Sequence, residues 1–488
     1  MQAGAANEGG NGRAAGDAGA AGTGGEGGEG GDTGPDTTPP AILQLTIEPN
    51  PNMTISCFVT WRTRNAASSE VDFGAESYAF RIRDDALVTD HRMLVIGMHA
   101  DTSYKIKAIS SNMYGVRSAE GNFTTGPLPE GIPIPSLTAS DMAHAQLGWT
   151  LTNIEVGMTL PARIVMYDEI GLPVWYFING QNVDDRGDIA AELVDGQVLV
   201  GPAPREPPRV VDLSGDVLWE GALSTPTRQQ SHVFGKTPTG NYLLNIDVPP
   251  DGTSPPPQRV DEIIQEITPA LDVVWSWQLF EHVPKAGSRY EPCHGNALEV
   301  NELENAMYYN CRFLGIFKID RASGDVAWRL GGTYDTVSYG PGDFTFDPPE
   351  SQFSDAHDPE YHPDGTVLVY DNGGYANVPV GTYHSRVVEY QLDQTKKTAT
   401  RTFEFPGALP DVPSWYKSEW YTPIWGDSDR LTNGNILVTA GMRSATLSTR
   451  IFEITPSGSV VWEITFEPNH GSYRAQRLSP PPLVEPLD

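Results

Sequence analysis

Short apolar segments alternate with turn residues along the chain from residue 41 onward. Between residues 41 and 127 the apolar positions recur with period two, as in CFVTWRT and TSYKIKAISSN, and turn-forming residues separate these segments. This region of the sequence shows no apolar residues at helical spacing. The pattern predicts a small β-sandwich over residues 41–127 and a proline-rich linker over residues 128–138.

Beyond residue 138 two kinds of segment repeat, and the repeat predicts the fold. One kind is a turn followed by an apolar strand, as in PDGTVLVYDNG and TNGNILVTAG. The other is a turn followed by a strand with an aromatic residue, and its six copies carry Trp175, Trp219, Trp275, Trp328, Phe403 and Trp462. Because one propeller blade is one four-stranded unit, the chain is predicted to be all-β, with a six-bladed β-propeller over residues 139–480. We expect the six aromatic residues to pack between blades.

Two regions precede the predicted propeller. In residues 41–127 the pieces CFVTWRT, TSYKIKAISSNMYGVRS and NFTTG resemble a fibronectin type III-like module. Residues 1–40 are rich in glycine, alanine and acidic residues, so they are predicted to be a disordered tether. Tethers of this kind commonly follow a removed export or lipoprotein signal, although no signal peptide is visible. We therefore expect a periplasmic, secreted or cell-surface protein, with a disordered tail on a cytosolic protein as the alternative.

Charge and cysteine content narrow the classes of partner. The formal net charge is −31 at pH 7, which argues against nucleic-acid binding because no basic stripe is available to meet phosphates. No apolar run is long enough to span a membrane, although a lipid anchor on a precursor is compatible with the tether. The three cysteines, Cys57, Cys293 and Cys311, lack zinc-binding spacing. Cys293 and Cys311 flank a predicted hairpin, and whether they form a disulfide is left open, as is the oligomeric state.

The repeat places three histidines at equivalent positions. His232 stands eight residues before Gly240, and His357 stands eight residues before Gly365, each glycine lying in the turn of its segment. His294 opens the matching segment of the blade between them. Innermost strands line the channel of a propeller and begin at one of its mouths, so these histidines of the third, fourth and fifth blades should converge. A lone histidine is usually structural, but three at one repeat position favour function.

Arg312 lies in NCRF, at the end of the strand predicted to pair with the one that His294 begins. A hairpin turning near residues 301–304 would bring the two side chains together. Alone, such an arginine is more often part of a surface ion pair. Beside three histidines, we interpret it as a group that binds an anion.

A metal site is the alternative interpretation of the histidines. Zinc or calcium could be bound with additional ligands from Asp358, Glu360 and His362. Two arguments oppose it: an arginine would repel a divalent cation, and strand alternation would direct His357 and Asp358 to opposite faces. We expect His362 to be exposed in its turn. No metal or other cofactor is therefore predicted.

Imidazoles beside a guanidinium suit the transfer of an anionic group. A neutral imidazole is a good nucleophile near pH 7, and neighbouring donors can stabilise negative charge on the transferred group. Other histidines can give and take the proton. Phosphoryl and sulfuryl groups both satisfy this argument. A Walker-type loop is absent from the sequence, which favours a donor that is not a nucleotide.

Four segments resemble the bacterial arylsulfotransferases, the aryl-sulfate sulfotransferases that do not use phosphoadenylyl sulfate. These segments are HGNALEV with CRF downstream, AHDPEYHPDGTVLVYDNGG, HSRVVEYQLD and GDSDRLTNGNILVTAG, and the resemblance covers most of residues 139–470. It implies a β-sandwich followed by a six-bladed propeller. It also implies sulfuryl transfer from a small-molecule aryl sulfate to a phenol, by a ping-pong route through a sulfated histidine.

The resemblance also implies roles for individual residues. His357 matches the nucleophile, and His232, His294 and Arg312 match the assisting residues. Asn296 is implied as a substrate contact, and Thr422 and Trp425 as residues on the acceptor side. Further aromatic residues near the mouth could stack on aryl groups: Tyr361, Tyr375, Tyr383, Trp415, Tyr416, Trp420 and Tyr421. The alternatives are a non-catalytic propeller that acts as a binding module on the cell surface, or a metal-dependent sulfatase or hydrolase.

Overall fold

The protein is described by a computed structural model that covers residues 38–156, 162–180, 191–202, 206–222, 224–225, 228–250, 260–283, 290–332, 343–373, 385–407, 421–442 and 448–487. Strands dominate these ranges. Their helical segments are the one-turn helix α1 (Leu279–His282) and a 3-10 turn at Pro349–Ser351. Within the same ranges, no helix combines the length and apolar character needed to cross a membrane. The predicted all-β class is confirmed.

The first region forms a single hydrogen-bonded sheet. Its strands are β1 (Ile42–Asn50), β2 (Met53–Gly74), β3 (Phe80–Val95), β4 (Ser103–Asn112) and β5 (Gly115–Thr124). The long strand β2 organises the sheet, because its first part pairs with β1, its second part pairs with β4, and β3 follows its other edge. A dense apolar core that includes Trp61 and Phe73 lies beneath it. The resemblance to a fibronectin type III-like module stays a prediction.

The strands that follow form six sheets of four or five strands within the described residues, all antiparallel except that β22 pairs in parallel with β26. After β6 (Ser136–Ser140), they are β7 (Trp149–Val156), β8 (Arg163–Tyr167) and β9 (Pro173–Ile178); β10 (Ala191–Val194), β11 (Gln197–Val200), β12 (Arg209–Asp212) and β13 (Val217–Glu220); β14 (Gln229–Lys236), β15 (Tyr242–Val248), β16 (Asp261–Ile267) and β17 (Val273–Gln278); β18 (Gly295–Asn301), β19 (Ala306–Cys311), β20 (Gly315–Asp320) and β21 (Val326–Leu330); β22 (Thr345–Asp347), β23 (Ala356–Tyr361), β24 (Thr366–Asp371), β25 (Arg386–Asp393) and β26 (Thr398–Phe405); β27 (Asp427–Arg430), β28 (Ile436–Ala440), β29 (Ser448–Ile454) and β30 (Val460–Pro468). The last strands are β31 (His470–Gly471), β32 (Ala475–Leu478) and β33 (Glu485–Pro486), and β33 pairs with β3.

Two distant parts of the chain close the ring of sheets. The strand β6 pairs with β30 and completes the last sheet, although it begins at Ser136, inside the predicted linker. The strands β31 and β32, near the other end, pair with β7 and complete the first sheet. Inner strands of successive sheets contact one another, and β32 contacts both β10 and β28. This closed arrangement confirms the β-propeller, and the six sheets equal the six copies of the aromatic repeat.

The repeated aromatic residues lie in the fourth strand of each sheet, counted from the centre, where four of them link neighbouring sheets. The indole N–H donates to a carbonyl in the turn before the fourth strand of the next sheet. The pairs are Trp175 to Leu213 at 2.8 Å, Trp219 to Pro269 at 2.8 Å, Trp275 to Arg321 at 2.9 Å and Trp462 to Glu169 at 2.8 Å. The last pair joins the sixth sheet to the first, so this interaction also takes part in closing the ring.

We predict that Trp462→Phe destabilises the protein more than Trp219→Phe. Trp462 is fully buried, so its loss leaves the Glu169 carbonyl without its donor and creates a cavity, at a cost of about 2–4 kcal/mol. Trp219 is half-buried and its hydrogen bond is exposed, so water can replace the indole N–H, and about 1 kcal/mol is expected. Unfolding in denaturant, followed by circular dichroism, measures both. Equal losses would contradict a special role for the closing contact.

Candidate active site

The structure brings the three predicted histidines together. His232 lies in β14, His294 directly precedes β18, and His357 is the second residue of β23. The ring centroids of His232 and His294 are 4.7 Å apart. The ring of Tyr473 contacts both His232 and His357, at centroid distances of 5.9 and 6.3 Å. Equivalent positions on three successive sheets therefore form one cluster.

Irregular backbone aims these side chains. His232 has φ of +49° and His294 has φ of +55°, in the left-handed region that residues other than glycine rarely adopt. Bulges interrupt the strand register between Ser231 and Phe234 in β14, and between His357 and Glu360 in β23. Bulges re-aim side chains, and conformations of this kind cluster at functional sites.

The bulge in β23 corrects the expectation that His357 and Asp358 face opposite sides. Asp358 has φ of +40°, and its carboxylate forms an ion pair with Arg474 at 2.9 Å. His357 contacts the neighbouring residue of that arginine, Tyr473. Both side chains therefore face the centre of the ring. Simple alternation fails here because it assumes a regular strand, and this one is irregular at these two residues.

His357 is held in a buried polar pocket. Its Nδ1 lies 2.5 Å from Oδ1 of Asn372, and the side-chain nitrogen of Asn372 donates to the carbonyls of Thr422 and Trp425, each at 2.7 Å. Burial lowers the pKa of His357 well below its usual value of 6.5, and the positive charge of Arg312 lowers it further. The imidazole of His357 is therefore neutral at pH 7.

The side-chain partner of His294 is a carboxylate, whereas that of His357 is an amide. The Nδ1 atom of His294 lies 3.0 Å from a carboxylate oxygen of Glu291. A second carboxylate, of Glu262, accepts hydrogen bonds from the backbone N–H groups of His294 at 2.7 Å and Gly295 at 3.0 Å, and the Tyr309 hydroxyl donates to it. These contacts fix the short segment that carries His294.

Acidic side chains next to His294 also form a set that could hold a metal ion. In the described parts of the chain, this set consists of Asp247, Glu262 and Glu291. Glu262 and Glu291 are already engaged with the segment of His294. We therefore interpret them as groups that position His294.

Arg312 lies beside His294 as the hairpin interpretation predicts. Its backbone N–H donates to the His294 carbonyl at 3.3 Å, and its Nη2 donates to the Pro423 carbonyl at 2.8 Å. The Nε atom is 3.9 Å from Asp355, and the residue is 8% exposed. A guanidinium has five N–H donors. Only one of them donates a hydrogen bond to another described residue, so most remain available for an anion.

A disulfide joins the residues that directly precede His294 and Arg312. Cys293 and Cys311 are bonded, with their Cα atoms 4.5 Å apart, whereas Cys57 is free and buried in the N-terminal sheet. The pairing left open by the sequence is thus present. The disulfide therefore holds together the two backbone segments that carry His294 and Arg312.

The predicted substrate contacts are also buried near this cluster. Asn296 donates to the Ala356 carbonyl at 3.0 Å, next to His357, and accepts from Asn310 at 2.6 Å. The Thr422 hydroxyl is buried and has no hydrogen-bond partner among the described residues. Trp425 has φ of +63° and packs edge-on against Tyr473 at 6.2 Å. Their contact with substrate stays a prediction.

Two expectations about nearby residues need correction. His362 lies in its turn, but its side chain is only 14% exposed and sits 3.5 Å from the Glu360 carboxylate. Tyr361 is at the far end of β23 from His357 and stacks on Tyr308 at 4.3 Å, which is packing between sheets. Among the other aromatic residues predicted near the mouth, Tyr421 is described. The rest lie outside the described residues: Tyr375, Tyr383, Trp415, Tyr416 and Trp420.

The sequence interpretation missed Tyr473 and Arg474, which lie between β31 and β32. The Tyr473 hydroxyl donates to the Asn296 carbonyl at 3.3 Å and is 3.5 Å from Nδ1 of His232. Arg474 also donates to the Asn296 carbonyl, in addition to its ion pair with Asp358. These residues follow the last repeat copy, so no repeat position indicates them. Their place in the ring-closing segment is the only signal.

Beyond Asp358 the channel widens into an acidic cavity of about 490 Å³. Five further acidic side chains line it: Glu192, Glu299, Glu360, Asp427 and Asp429. Burial raises the pKa of Glu299 to about 7, and the pKa values of the other four are raised from the same cause. This part of the channel is unfavourable for an anion, whereas the side of Arg312 and the histidines is favourable.

Comparison with known proteins identifies the family. The family model described as Arylsulfotransferase (ASST) matches residues 140–474, more than half of the chain, and the chain belongs to this family. No curated protein matches the sequence. The family match supports arylsulfotransferase activity and small-molecule aryl substrates in general.

Solved structures give only remote likenesses. One is a quinoprotein alcohol dehydrogenase-like protein from Bacteroides thetaiotaomicron, with 9% identity, a TM-score of 0.36, and coverage of 90% of this chain and 99% of that chain. TolB from Acinetobacter baumannii has 10% identity, a TM-score of 0.38, and coverage of 78% and 81%. The Cps50 β-propeller domain from Myceliophteria thermophila has 11% identity, a TM-score of 0.30, and coverage of 88% and 99%. At these TM-scores the likenesses add nothing to the strand order given above.

We predict that the unfolding free energy falls more steeply on acidification in the native protein than in His357→Gln. An unfolded His357 gains a proton as the pH falls through 6.5, but the folded one stays neutral to lower pH because its pKa is lowered. Its contribution to stability is therefore present above pH 6.5 and is lost as the pH falls below this value. Denaturant unfolding at pH 7.5 and 5.0 measures the difference. His144→Gln, at a side chain 68% exposed, is the control, and an equally steep loss in His357→Gln would contradict the prediction.

Proposed function

We propose that this member of the arylsulfotransferase family transfers a sulfuryl group from an aryl sulfate ester to a phenol by a ping-pong route, with sulfated His357 as the intermediate. The observation that carries the proposal is the neutral, buried imidazole of His357 beside Arg312 and two further imidazoles. A neutral imidazole is nucleophilic without first losing a proton.

In the first half-reaction, Nε2 of His357 attacks the sulfur atom of the donor. The N–S bond forms, the bond between sulfur and the aryl oxygen breaks, and the leaving phenolate takes a proton from His294. The carboxylate of Glu291, 3.0 Å from Nδ1 of His294, supports this assignment, because a nearby negative charge favours a protonated imidazole. The ring of His232 lies 4.7 Å from that of His294, so His232 would contact the same leaving group.

The second half-reaction reverses these steps with a phenol acceptor. The acceptor oxygen attacks sulfur, its proton passes to His294, and the N–S bond breaks to restore neutral His357. Because the leaving group and the acceptor are both phenols, one site serves both steps and no proton is lost or gained over the cycle.

Arg312 is proposed to stabilise negative charge on the sulfuryl oxygens in both transition states. Its guanidinium is nearly buried, and the adjacent disulfide and the Pro423 carbonyl limit its movement. A positioned guanidinium in a site that excludes water stabilises developing charge more strongly than one in solvent. The Thr422 hydroxyl is a further donor, since its hydrogen bond is unused among the described residues.

The disulfide also supports the proposed location. Disulfides persist in oxidising compartments such as the periplasm and are rare in the cytosol. The bond between Cys293 and Cys311 is therefore consistent with a periplasmic or secreted protein. The N-terminal sheet carries no assigned role.

The direct test uses p-nitrophenyl sulfate as donor and phenol as acceptor, with and without a chelator. We expect nitrophenol release that depends on phenol, is insensitive to chelator, and gives parallel lines in double-reciprocal plots. His357→Asn should lower kcat/KM by about 10³-fold or more. Release with water alone would indicate a sulfatase, sensitivity to chelator would indicate a metal-dependent hydrolase, and the absence of any release would favour a binding module.

We predict that Glu291→Gln slows donors with poor leaving groups more than donors with good ones. Without the carboxylate, the protonated form of His294 that would donate to the phenolate loses its nearby negative charge, and only a basic phenolate needs that proton. The ratio of kcat/KM for p-nitrophenyl sulfate to that for phenyl sulfate should rise by about tenfold or more. Glu281→Gln changes an exposed glutamate nearby and should leave the ratio unchanged. An unchanged ratio in Glu291→Gln would remove His294 from proton transfer.

A further inference from the structure

We propose that Asn372 is a positioning residue that fixes His357 in the tautomer with its proton on Nδ1, so that Nε2 carries the lone pair. The kinetic consequence of this assignment rests on the proposed sulfuryl transfer, but the tautomer itself does not. Asn372 directly follows β24, in the segment YDNGG, and the sequence analysis gives its side chain no role.

The contacts of the amide determine which of its ends faces the histidine. The Asn372 nitrogen lies 2.7 Å from two carbonyl oxygens, those of Thr422 and Trp425. Carbonyl oxygens only accept hydrogen bonds, so both amide hydrogens are used there. The end that faces His357 at 2.5 Å is therefore the oxygen, which can only accept. The Nδ1 atom of His357 must then be the donor.

The surroundings hold this amide in place. Asn372 is fully buried, and the Ser385 hydroxyl donates to its backbone carbonyl at 2.9 Å. The backbone N–H of Thr422 in turn donates to that hydroxyl at 2.7 Å. The strand that ends at Asp371 and the segment that contains Thr422 are thus joined on both sides of the amide. A rotation of the amide would place its oxygen against the Thr422 and Trp425 carbonyls, and two buried hydrogen bonds would be lost, at about 1 kcal/mol each.

The choice of an amide over a carboxylate suits a nucleophile. A carboxylate at this position would stabilise the protonated imidazole, and a protonated ring has no lone pair for attack. An amide oxygen orients the ring without raising its basicity to the same degree. After attack through Nε2, the ring retains its Nδ1 proton and carries positive charge, which the same oxygen stabilises by accepting the hydrogen bond.

The two imidazoles are therefore adapted to different tasks by their partners. His357 has a neutral acceptor and attacks, whereas His294 has a charged acceptor and exchanges protons. The amide also connects the orientation of His357 to the segment carrying Thr422 and Trp425, so a shift of that segment would misorient the nucleophile.

The tautomer can be measured in the resting protein, without any substrate. Nitrogen-15 NMR of the protein labelled at histidine distinguishes the two neutral tautomers from the protonated ring, and the signals absent in His357→Asn identify His357. We expect native His357 to be neutral with the proton on Nδ1 between pH 6 and 8. In Asn372→Ala we expect a mixture of tautomers or the opposite one. A proton on Nε2 in the native protein, or an unchanged tautomer in Asn372→Ala, would overturn the inference.

The kinetic arm uses Asn372→Asp and Asn372→Ala with the native protein. Asn372→Asp should move the acidic limb of the pH profile of kcat/KM to higher pH by about one unit or more, because the new carboxylate stabilises protonated His357. Asn372→Ala should lower kcat/KM by about 10²-fold or more at the pH optimum. Activity within twofold of native in Asn372→Ala, or an unmoved acidic limb in Asn372→Asp, would contradict the positioning role.

Ser385→Ala is the matched control for a weaker connection between the segments that carry Asn372 and Thr422. It removes hydrogen bonds between the same two segments without touching either imidazole, so we expect stability to fall while the pH profile keeps its native shape. If the native protein shows no sulfuryl transfer at all, the NMR result still decides the tautomer. The failure of the proposed function is thereby separated from the failure of this inference.

Discussion

The pairing of β31 and β32 with β7 is the constraint on which the site depends. This pairing closes the ring of six sheets, and it also carries Tyr473 and Arg474 into the centre. Tyr473 contacts His232 and His357 from two sides, and Arg474 holds Asp358 next to the nucleophile position. Closure and site geometry are thus consequences of the same few hydrogen bonds. A ring that opened at this seam would lose the groups that hold its histidines in place.

Within the closed ring, the chemistry depends on which polar partner each buried imidazole receives. Burial alone would leave His357 neutral but free to carry its proton on either nitrogen, and Asn372 removes that freedom. His294 has the Glu291 carboxylate, instead of an amide, 3.0 Å from its Nδ1. Left-handed and bulged backbone at the inner strands lets these rings face each other, which regular strands would not allow.

Much of the architecture could be predicted because it repeats. The aromatic residue of each fourth strand, such as Trp462, marks one sheet per copy, and equivalent starts of inner strands locate His232, His294 and His357. Single contacts between distant segments could not be predicted, because neither partner carries a pattern. Tyr473 follows the last copy, and Asn372 has the same local sequence as an ordinary turn. The predicted direction of the Asp358 side chain was wrong, because strand alternation assumes a regular strand and the sequence does not reveal the bulge.

The central claim is that His357 carries the sulfuryl group between donor and acceptor, and trapping the intermediate tests it most directly. The protein is mixed with an aryl sulfate in the absence of phenol, the donor is removed, and the protein is examined by intact and peptide mass spectrometry at neutral to basic pH. The account predicts a gain of one sulfuryl group, located on the peptide containing His357 and lost when phenol is added. A protein that turns over donor and phenol without this gain, or carries the group on another residue, would contradict it.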